Sequence, residues 1–149
     1  MVRRFLFFAL TALSVIAVTC SSSADIEPAD SYESLSAALE AGGMKVSEQT
    51  ENAFLFSDVF SVPGIRMTAS GEEILAFEFP TVKEAAEQAS LVSADGYGIG
   101  LKYVNWSDTP QFFKNGNMIV LYDGSQALVM STLIAAMGER FAGGVPNDS

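Results

Sequence analysis

The chain of 149 residues contains no histidine and a single cysteine, Cys20. Without histidine, Ser-His-Asp and Cys-His catalysis, histidine metal sites and the commonest general base at neutral pH are all excluded. A lone cysteine cannot form an internal disulfide, and no glycine-rich loop opens a helix as a phosphate site requires. We therefore predict a protein that is not an enzyme and that has no cofactor and no metal ion.

Basic residues are also scarce, since 8 Lys and Arg face 18 Asp and Glu. Two of the basic residues, Arg3 and Arg4, precede Cys20, so a chain beginning at Cys20 keeps six and has a net charge of −12. A chain this acidic excludes nucleic acid as a partner. It would also be repelled by anionic lipid head groups, so attachment to a membrane has to come from a lipid anchor.

The N-terminus has the two regions of a secretory signal. Arg3 and Arg4 are followed by an apolar run from Phe5 to Val18 that only Thr11 and Ser14 interrupt. The run is shorter than the roughly 20 apolar residues that span a bilayer, and no later run in the sequence is longer. We predict that residues 1–19 are a signal peptide that is cleaved on export.

Two cleavage sites compete. Ala17-Val18-Thr19-Cys20 resembles the lipoprotein box that precedes a lipidated cysteine, whereas Ser22-x-Ala24 fits the small-residue rule of ordinary signal peptidase. We predict the first, with a lipid on Cys20 that anchors the protein to the cell membrane or outer membrane, outside the cytoplasm. The alternatives are a soluble protein released after Ala24, in the periplasm or secreted, and an uncleaved anchor.

The remaining length allows one domain. Residues 20–30 are predicted to be the lipidated cysteine and a polar tether, residues 31–142 the domain, and residues 143–149 a flexible tail.

Three segments of the domain have helix signals. One begins at Asp30, with Glu33 completing a capping box, and Gly42-Gly43 ends it; the second begins at Thr81, with Glu84. The third begins near Asp123-Gly124-Ser125. The predicted inward positions are Tyr32, Leu35, Ala38 and Leu39 in the first helix, Val82, Ala85, Ala86, Ala89 and Val92 in the second, and Met130, Leu133, Ile134, Met137 and Phe141 in the third.

Two strand pairs separate the helices. Ile65–Ala69 and Ile74–Phe79 flank Ser70-Gly71-Glu72, and Ile99–Trp106 and Met118–Tyr122 are joined through Asn115-Gly116, which favours a tight hairpin. These elements predict a single α+β domain, an antiparallel sheet with helices packed on one face. The repeated strand–strand–helix order suggests a duplicated ββα unit. Asn52–Val62 is either a further strand or an aromatic-rich loop.

The most distinctive segment is Trp106–Lys114, which holds the single tryptophan and two adjacent phenylalanines, Phe112 and Phe113. Aromatic side chains near the end of a strand commonly close a core. Neighbouring residues of an extended strand point to opposite faces, however, so one phenylalanine could be exposed beside Trp106. Trp106, Phe112 and Phe113 are therefore the candidate contact patch for a partner or ligand.

The same region carries a resemblance to a family of uncharacterised exported bacterial lipoproteins. The matching residues are Trp106, Pro110-Gln111-Phe112-Phe113-Lys114, Gly116-x-Met118-Ile119-Val120-Leu121-Tyr122-x-Gly124, Phe77–Pro80, Ser93-x-Asp95-Gly96 and Met137-Gly138-x-x-Phe141-Ala142-Gly143. The resemblance covers most of Ser31 to Gly144. Relatives often have His where Gln111 stands, which implies that acid–base chemistry is not required there. The resemblance implies export and a single domain but no activity.

The expected function is that of a non-catalytic envelope lipoprotein, an interaction or accessory domain whose partner is another envelope protein. The first alternative is a small-ligand-binding module with an apolar pocket between sheet and helices. A hydrolase that relies on carboxylates such as Glu72, Glu73, Asp95 and Asp108 is the weakest alternative, because carboxylates at turns are usually caps or solvated surface.

Overall fold

The computed structural model describes residues 25–48 and 59–144. In these residues the elements are α1 (Tyr32–Ala41), β1 (Val46–Glu48), β2 (Ile65–Ala69), β3 (Glu72–Glu78), α2 (Val82–Ala89), β4 (Gly98–Ile99), β5 (Lys102–Tyr103), β6 (Pro110–Asn115), β7 (Met118–Asp123), α3 (Ala127–Met137) and β8 (Ala142–Gly143). The predicted signal peptide, Cys20 and most of Asn52–Val62 lie outside the described residues.

A six-stranded sheet organises the domain, in the order β1-β2-β3-β7-β6-β8 with every neighbouring pair antiparallel. Two hairpins, β2–β3 and β6–β7, meet at the centre, where Ile74 pairs with Tyr122 and Phe77 with Ile119. The prediction of a single α+β domain with an antiparallel sheet is confirmed. β4 and β5 form a separate two-stranded sheet.

Side chains along the central strands point alternately to the two faces of the sheet, so the core has two parts. Ile74 and Tyr122 pack with α1 and α3 on one side, which we call the α1/α3 face. Leu75 and Leu121 pack on the other side with Ala85 of α2, which we call the α2 face. The helices were predicted on one face; this holds for α1 and α3, whereas α2 lies on the opposite face.

The α2 position also bears on the suggested duplication. The order strand–turn–strand–helix does occur twice, as β2-β3-α2 and β6-β7-α3. Because β3 and β7 are antiparallel neighbours, a two-fold axis relating the hairpins would be perpendicular to the sheet and would keep both helices on one face. They lie on opposite faces, so no such symmetry relates the two units.

The helix starts follow their local capping chemistry. Thr81 caps α2 as predicted, and its side chain accepts a hydrogen bond from the Glu84 backbone N–H at 3.1 Å. In α1 the predicted cap is one residue early, because extended Ser31 is the N-cap and forms its capping box with Ser34. At α3, the Gln126 N–H donates to the Tyr122 hydroxyl at 3.0 Å.

The hairpin prediction at Ser70-Gly71 is confirmed, and that at Asn115-Gly116 is confirmed in part. Asn115 pairs with Met118, so the turn has two residues, Gly116 and Asn117. A loop this short makes the residues directly before it the partner strand. The partner of β7 is therefore β6, and the prediction of Ile99–Trp106 in that role is wrong.

The packed domain is slightly longer than the predicted 31–142. Ala29 is fully buried and Ile26 packs on the same cluster. The Ala29 N–H donates to the Ala136 carbonyl at 2.8 Å, and the Asn115 side-chain amide donates to the Ala29 carbonyl at 3.1 Å. At the other end, Gly143 belongs to β8 rather than to a tail. Among the described helices, none has the length and apolar character needed to cross a membrane.

Candidate functional site

Phe112 and Phe113 do not form a surface. Both are completely buried, Phe112 on the α2 face and Phe113 on the α1/α3 face. The prediction that they point to opposite faces is therefore right, but each face is covered. β6 lies inside the sheet, between β7 and β8, and Pro110–Phe113 are buried because both faces of the strand are packed against the core clusters. Both residues are withdrawn from the candidate contact patch.

Trp106 is half-buried and has a structural contact. Its indole N–H donates to the Gly96 carbonyl at 2.8 Å, and its ring meets Phe112 edge-on with 6.0 Å between centroids. Gly96 has a positive φ of 79°, and a Cβ there would come within about 3.1 Å of Phe112. Trp106 thus holds the loop before β4 tightly against the α2 face.

A shallow groove opens on the α2 face beside Trp106. Its volume is about 260 Å³, and its lining residues are Glu73, Leu75, Trp106, Ser107, Leu121 and Asp123. Leu75 and Leu121 are directly paired across β3 and β7, so they form an apolar floor. Two carboxylates, those of Glu73 and Asp123, lie at the same groove.

Both carboxylates already have partners. Asp123 accepts the Ser107 N–H on Oδ2 at 2.8 Å and the Asp108 N–H on Oδ1 at 3.0 Å. Glu73 lies 3.4 Å from the Arg66 guanidinium. Asp123 therefore fixes the loop between β5 and β6, and the arrangement suits polar contact with a bound group better than proton transfer.

The most exposed apolar side chains of the α2 face lie on a short protrusion, the β4–β5 hairpin (Gly98–Tyr103). Leu101, at its turn, is as exposed as in an extended peptide at 107%, and Tyr103 is 76% exposed. Tyr103 stacks on Tyr97 with 6.0 Å between ring centroids. Leu91, 45% exposed, lies beside the turn of the hairpin, where its carbonyl accepts the Gly100 N–H at 2.8 Å.

The base of this hairpin is held by a polar cluster. Asp95 accepts hydrogen bonds from the Ser93 hydroxyl at 2.5 Å and the Tyr97 N–H at 3.0 Å. These bonds, the Ser93 one foremost, lower the pKa of Asp95 below its ordinary value. The Ser93 Oγ also accepts the Gly98 N–H at 2.7 Å. The hairpin therefore leaves the domain in a fixed direction.

Sequence reasoning missed this protrusion because it treated Ile99–Trp106 as one strand of the main sheet. The available signal was Gly100, which has a positive φ of 59°. A glycine between Ile99 and Leu101 permits a two-residue turn within the run, so that Lys102 folds back on Ile99.

Within residues 25–48 and 59–144, no three carboxylate or thiol side chains gather as a metal site would require. Comparisons of the chain with models of known protein families, with curated proteins and with solved structures give no match. Any function therefore has to be argued from the surface of the domain itself.

Proposed function

We propose that this protein is a non-catalytic accessory protein of the cell envelope, anchored outside the cytoplasm by a lipid on Cys20, which binds another envelope protein. The observation that carries the proposal is the β4–β5 hairpin, which exposes Leu101 and Tyr103 to solvent. Tyr is among the residue types that dominate binding energy in protein interfaces, and Leu101 adds apolar surface that a partner would bury.

Rigidity distinguishes this hairpin from an ordinary mobile loop. The Trp106 indole and the Asp95 carboxylate fix its base, and the Tyr97 ring supports Tyr103. A partner that buries Leu101 and Tyr103 therefore orders little new backbone, which keeps the entropic cost of association low. The groove beside Trp106 lies on the same face and extends the surface that a partner could cover.

Small-ligand binding is the second candidate, and the groove is where it would occur. Its volume of about 260 Å³ lies below the roughly 300–1,000 Å³ typical of ligand pockets. The groove's carboxylates are engaged with backbone amides and with Arg66. These properties favour a protein partner over a small molecule, and both over a carboxylate-dependent hydrolase.

The position of the N-terminal segment fits the anchored arrangement. Residues 25–27 lie beside α1, on the sheet side opposite to the β4–β5 hairpin. Cys20 precedes Asp25 by five residues, which span at most about 18 Å when extended. An anchor on Cys20 would hold the α1 side near the membrane and present the hairpin away from it.

Site-specific photocrosslinking in the native envelope tests the partner. A photoreactive residue at Leu101 should give one discrete protein adduct, whereas the same residue at Glu40, exposed on α1, should not. The adduct is then identified, and the purified partner should bind the full-length protein at least ten-fold more weakly after Leu101→Ser. Equal adducts at both positions, or unchanged affinity of the variant, would contradict the proposal.

The mass of the mature protein tests the anchor. A chain that begins at diacylated Cys20 is expected, and Cys20→Ser should release the protein from the membrane fraction. A mature chain that begins at Asp25 would show that the protein is soluble, without affecting the hairpin proposal.

A further inference from the structure

The groove on the α2 face combines an apolar floor with an acidic end. Leu75 and Leu121 form the floor, as directly paired residues of β3 and β7. Glu73 and Asp123 lie two positions from these leucines, toward the same end of the sheet, so their side chains share the face of the two leucines. The groove of about 260 Å³ is therefore apolar at its floor and negatively charged at one end.

Asp123 is held in one orientation but keeps part of its acceptor capacity. Its Oδ2 accepts the Ser107 N–H at 2.8 Å, and its Oδ1 accepts the Asp108 N–H at 3.0 Å. An ionised carboxylate offers about four lone-pair sites, so each oxygen can accept one more hydrogen bond. The two amides carry no net charge, whereas Glu73 lies 3.4 Å from the Arg66 guanidinium. Asp123 is therefore the carboxylate of the groove that is placed to bind an incoming cation.

We propose that the groove binds an arginine side chain of the same envelope protein that covers the β4–β5 hairpin. This inference rests on the proposed function and specifies the chemistry of the partner. A guanidinium donates two parallel N–H bonds to the two oxygens of one carboxylate, which the remaining acceptor sites of Asp123 allow. It also stacks on aromatic rings, and half-buried Trp106 lines the groove. The methylene stem of the arginine would lie along Leu75 and Leu121.

Arginine fits this groove better than lysine does. A lysine ammonium is a compact point charge without a planar face, so it could neither bridge the two Asp123 oxygens with parallel bonds nor stack on Trp106. The indole N–H of Trp106 donates to the Gly96 carbonyl at 2.8 Å, which fixes the ring against the loop that supports the hairpin. Arginine is also among the residue types that contribute most to binding energy in protein interfaces.

The acidity of the chain favours a basic partner. A chain beginning at Cys20 has a net charge of −12, and Asp108, whose backbone N–H bonds to Asp123, adds a further carboxylate at this end of the sheet. Opposite charges on two proteins speed their encounter and exclude acidic partners. Arg66 is a basic residue next to the groove, and its contact with Glu73 would direct an incoming guanidinium away from Glu73 and toward Asp123.

Trp106 is the single tryptophan of the chain, so its fluorescence reports directly on the groove. Full-length protein in detergent micelles is titrated with N-acetylarginine amide, with the lysine amide, and with the citrulline amide, in which a neutral urea group replaces the guanidinium. The arginine probe should change the emission saturably and should bind at least about ten-fold more tightly than the citrulline probe and about three-fold more tightly than the lysine probe. Equal affinity for the arginine probe and either of the others, or a change in emission that never saturates, would overturn the proposal.

A blocking substitution tests the groove in the native envelope. Ser107→Arg places a guanidinium at the groove within the chain itself, and Ser131→Arg, exposed on α3, makes the same change of charge on the α1/α3 face. With the photoreactive residue at Leu101, Ser107→Arg should reduce the partner adduct at least about ten-fold, because its own guanidinium occupies Asp123. Ser131→Arg should leave the adduct unchanged, and thermal unfolding checks that both variants are folded.

The outcomes separate this inference from the proposed function. An adduct that both variants leave at the parent level would overturn the arginine site alone, and equal loss in both variants would do the same by showing that net charge controls binding. No adduct at Leu101 in the parent chain would contradict the proposed function itself. Titration of the parent chain requires no variant, so it decides the proposal even where Ser107→Arg is unfolded.

Discussion

On the α1/α3 face, two helices close the core with fully buried aliphatic side chains, among them Leu35, Leu39 and Leu133. On the α2 face, the eight-residue α2 buries only Ala85 and leaves Val82 57% exposed. Loops complete the cover there, and polar groups hold them in place. One face is thus closed mainly by apolar packing, and the other by side chains that each bind a particular loop.

The difference between the two faces distinguishes the part of the domain that provides stability from the part that can carry a recognition site. Apolar packing stabilises a face in proportion to the area it buries, but it leaves few positions where a different side chain would fit. A face closed by loops can carry a protrusion such as the β4–β5 hairpin, provided that a few hydrogen bonds fix its direction. The candidate site lies on the loop-covered face for this reason.

The largest expected effect compares the two buried phenylalanines of β6. Replacement of a buried Phe by Ala typically costs about 3–5 kcal/mol of unfolding free energy. We expect Phe113→Ala to lie at the upper end, because helices on that face cannot collapse into the cavity. Phe112→Ala should lie at the lower end, since half-buried Trp106 and Phe141 border it. Urea denaturation measures both, and a larger loss for Phe112→Ala would contradict the comparison.

Next in size is the effect of a methyl group at Gly143. Its φ is 87°, and a Cβ would lie 1.9 Å from the Pro110 carbonyl oxygen, so Gly143→Ala has to displace β8 from β6. Gly43 is a matched control, with the same φ and nothing within 4 Å of a Cβ. Gly43→Ala should cost about 1 kcal/mol for backbone conformation, and Gly143→Ala at least about 1 kcal/mol more. Equal urea-denaturation midpoints for Gly143→Ala and Gly43→Ala would show that β8 does not close the α2 face.

A smaller effect is expected at the loop that Asp123 holds. Asp123→Asn removes the charge and one of two acceptor oxygens, which should cost about 1–2 kcal/mol. Amide hydrogen exchange at Ser107 and Asp108 should accelerate, while exchange in α1 stays unchanged. Exposed Glu40→Gln, with the same loss of charge, should stay within about 0.5 kcal/mol of the parent. Unchanged exchange at the two amides would show that Asp123 does not hold this loop against the α2 face.

The smallest expected effect concerns a polar contact on the α1/α3 face. The Tyr122 hydroxyl donates to Glu72 at 2.8 Å. Burial raises the pKa of Tyr122 from 10.0 to about 12, and the Glu72 carboxylate adds to the rise. The folded state disfavours the phenolate, so stability present below pH 10 should decline as the pH rises toward 12.

Tyr122→Phe should cost about 1 kcal/mol at pH 7 and should reduce the decline between pH 10 and 12. Denaturation midpoints across this range, with tyrosinate absorbance at 295 nm, measure both. An identical decline in the variant would exclude Tyr122 as its source.

Local signals predicted much of this fold. Thr81 and Ser70-Gly71 specify a cap and a turn through neighbouring atoms and lie where the sequence indicated, and the turn predicted at Asn115-Gly116 lies one residue later, at Gly116-Asn117. The inward side of α3 was not predictable in the same way. Leu133 and Met137 are buried as expected, but Val129, Thr132 and Ala136 accompany them, while Ile134 and Phe141 are 38% exposed. Because α3 is apolar on every side, its hydrophobic periodicity does not show which side faces the core.

Of the three residues named for the candidate contact patch, one lines the groove and two lie in the core. Trp106 does lie at the groove, yet Phe113 is buried beneath α1 and α3, and Phe112 is buried on the α2 face, where β8 pairs with β6. That pairing joins Phe112 to Ala142, 30 positions apart, and no local sequence pattern predicts it. The exposure of Leu101 likewise depends on where the main sheet ends, which is a property of the assembled domain.

The central β3–β7 pairing also governs how the chain folds. Each flanking hairpin closes a two-residue turn, but Ile74 and Tyr122 lie 48 positions apart. Local hairpins form within microseconds, whereas pairing across such a separation has to overcome the entropy of a long loop. We expect the docking of the two hairpins to limit the folding rate. A precursor with this topology would complete its fold later after synthesis, as the export proposed above requires.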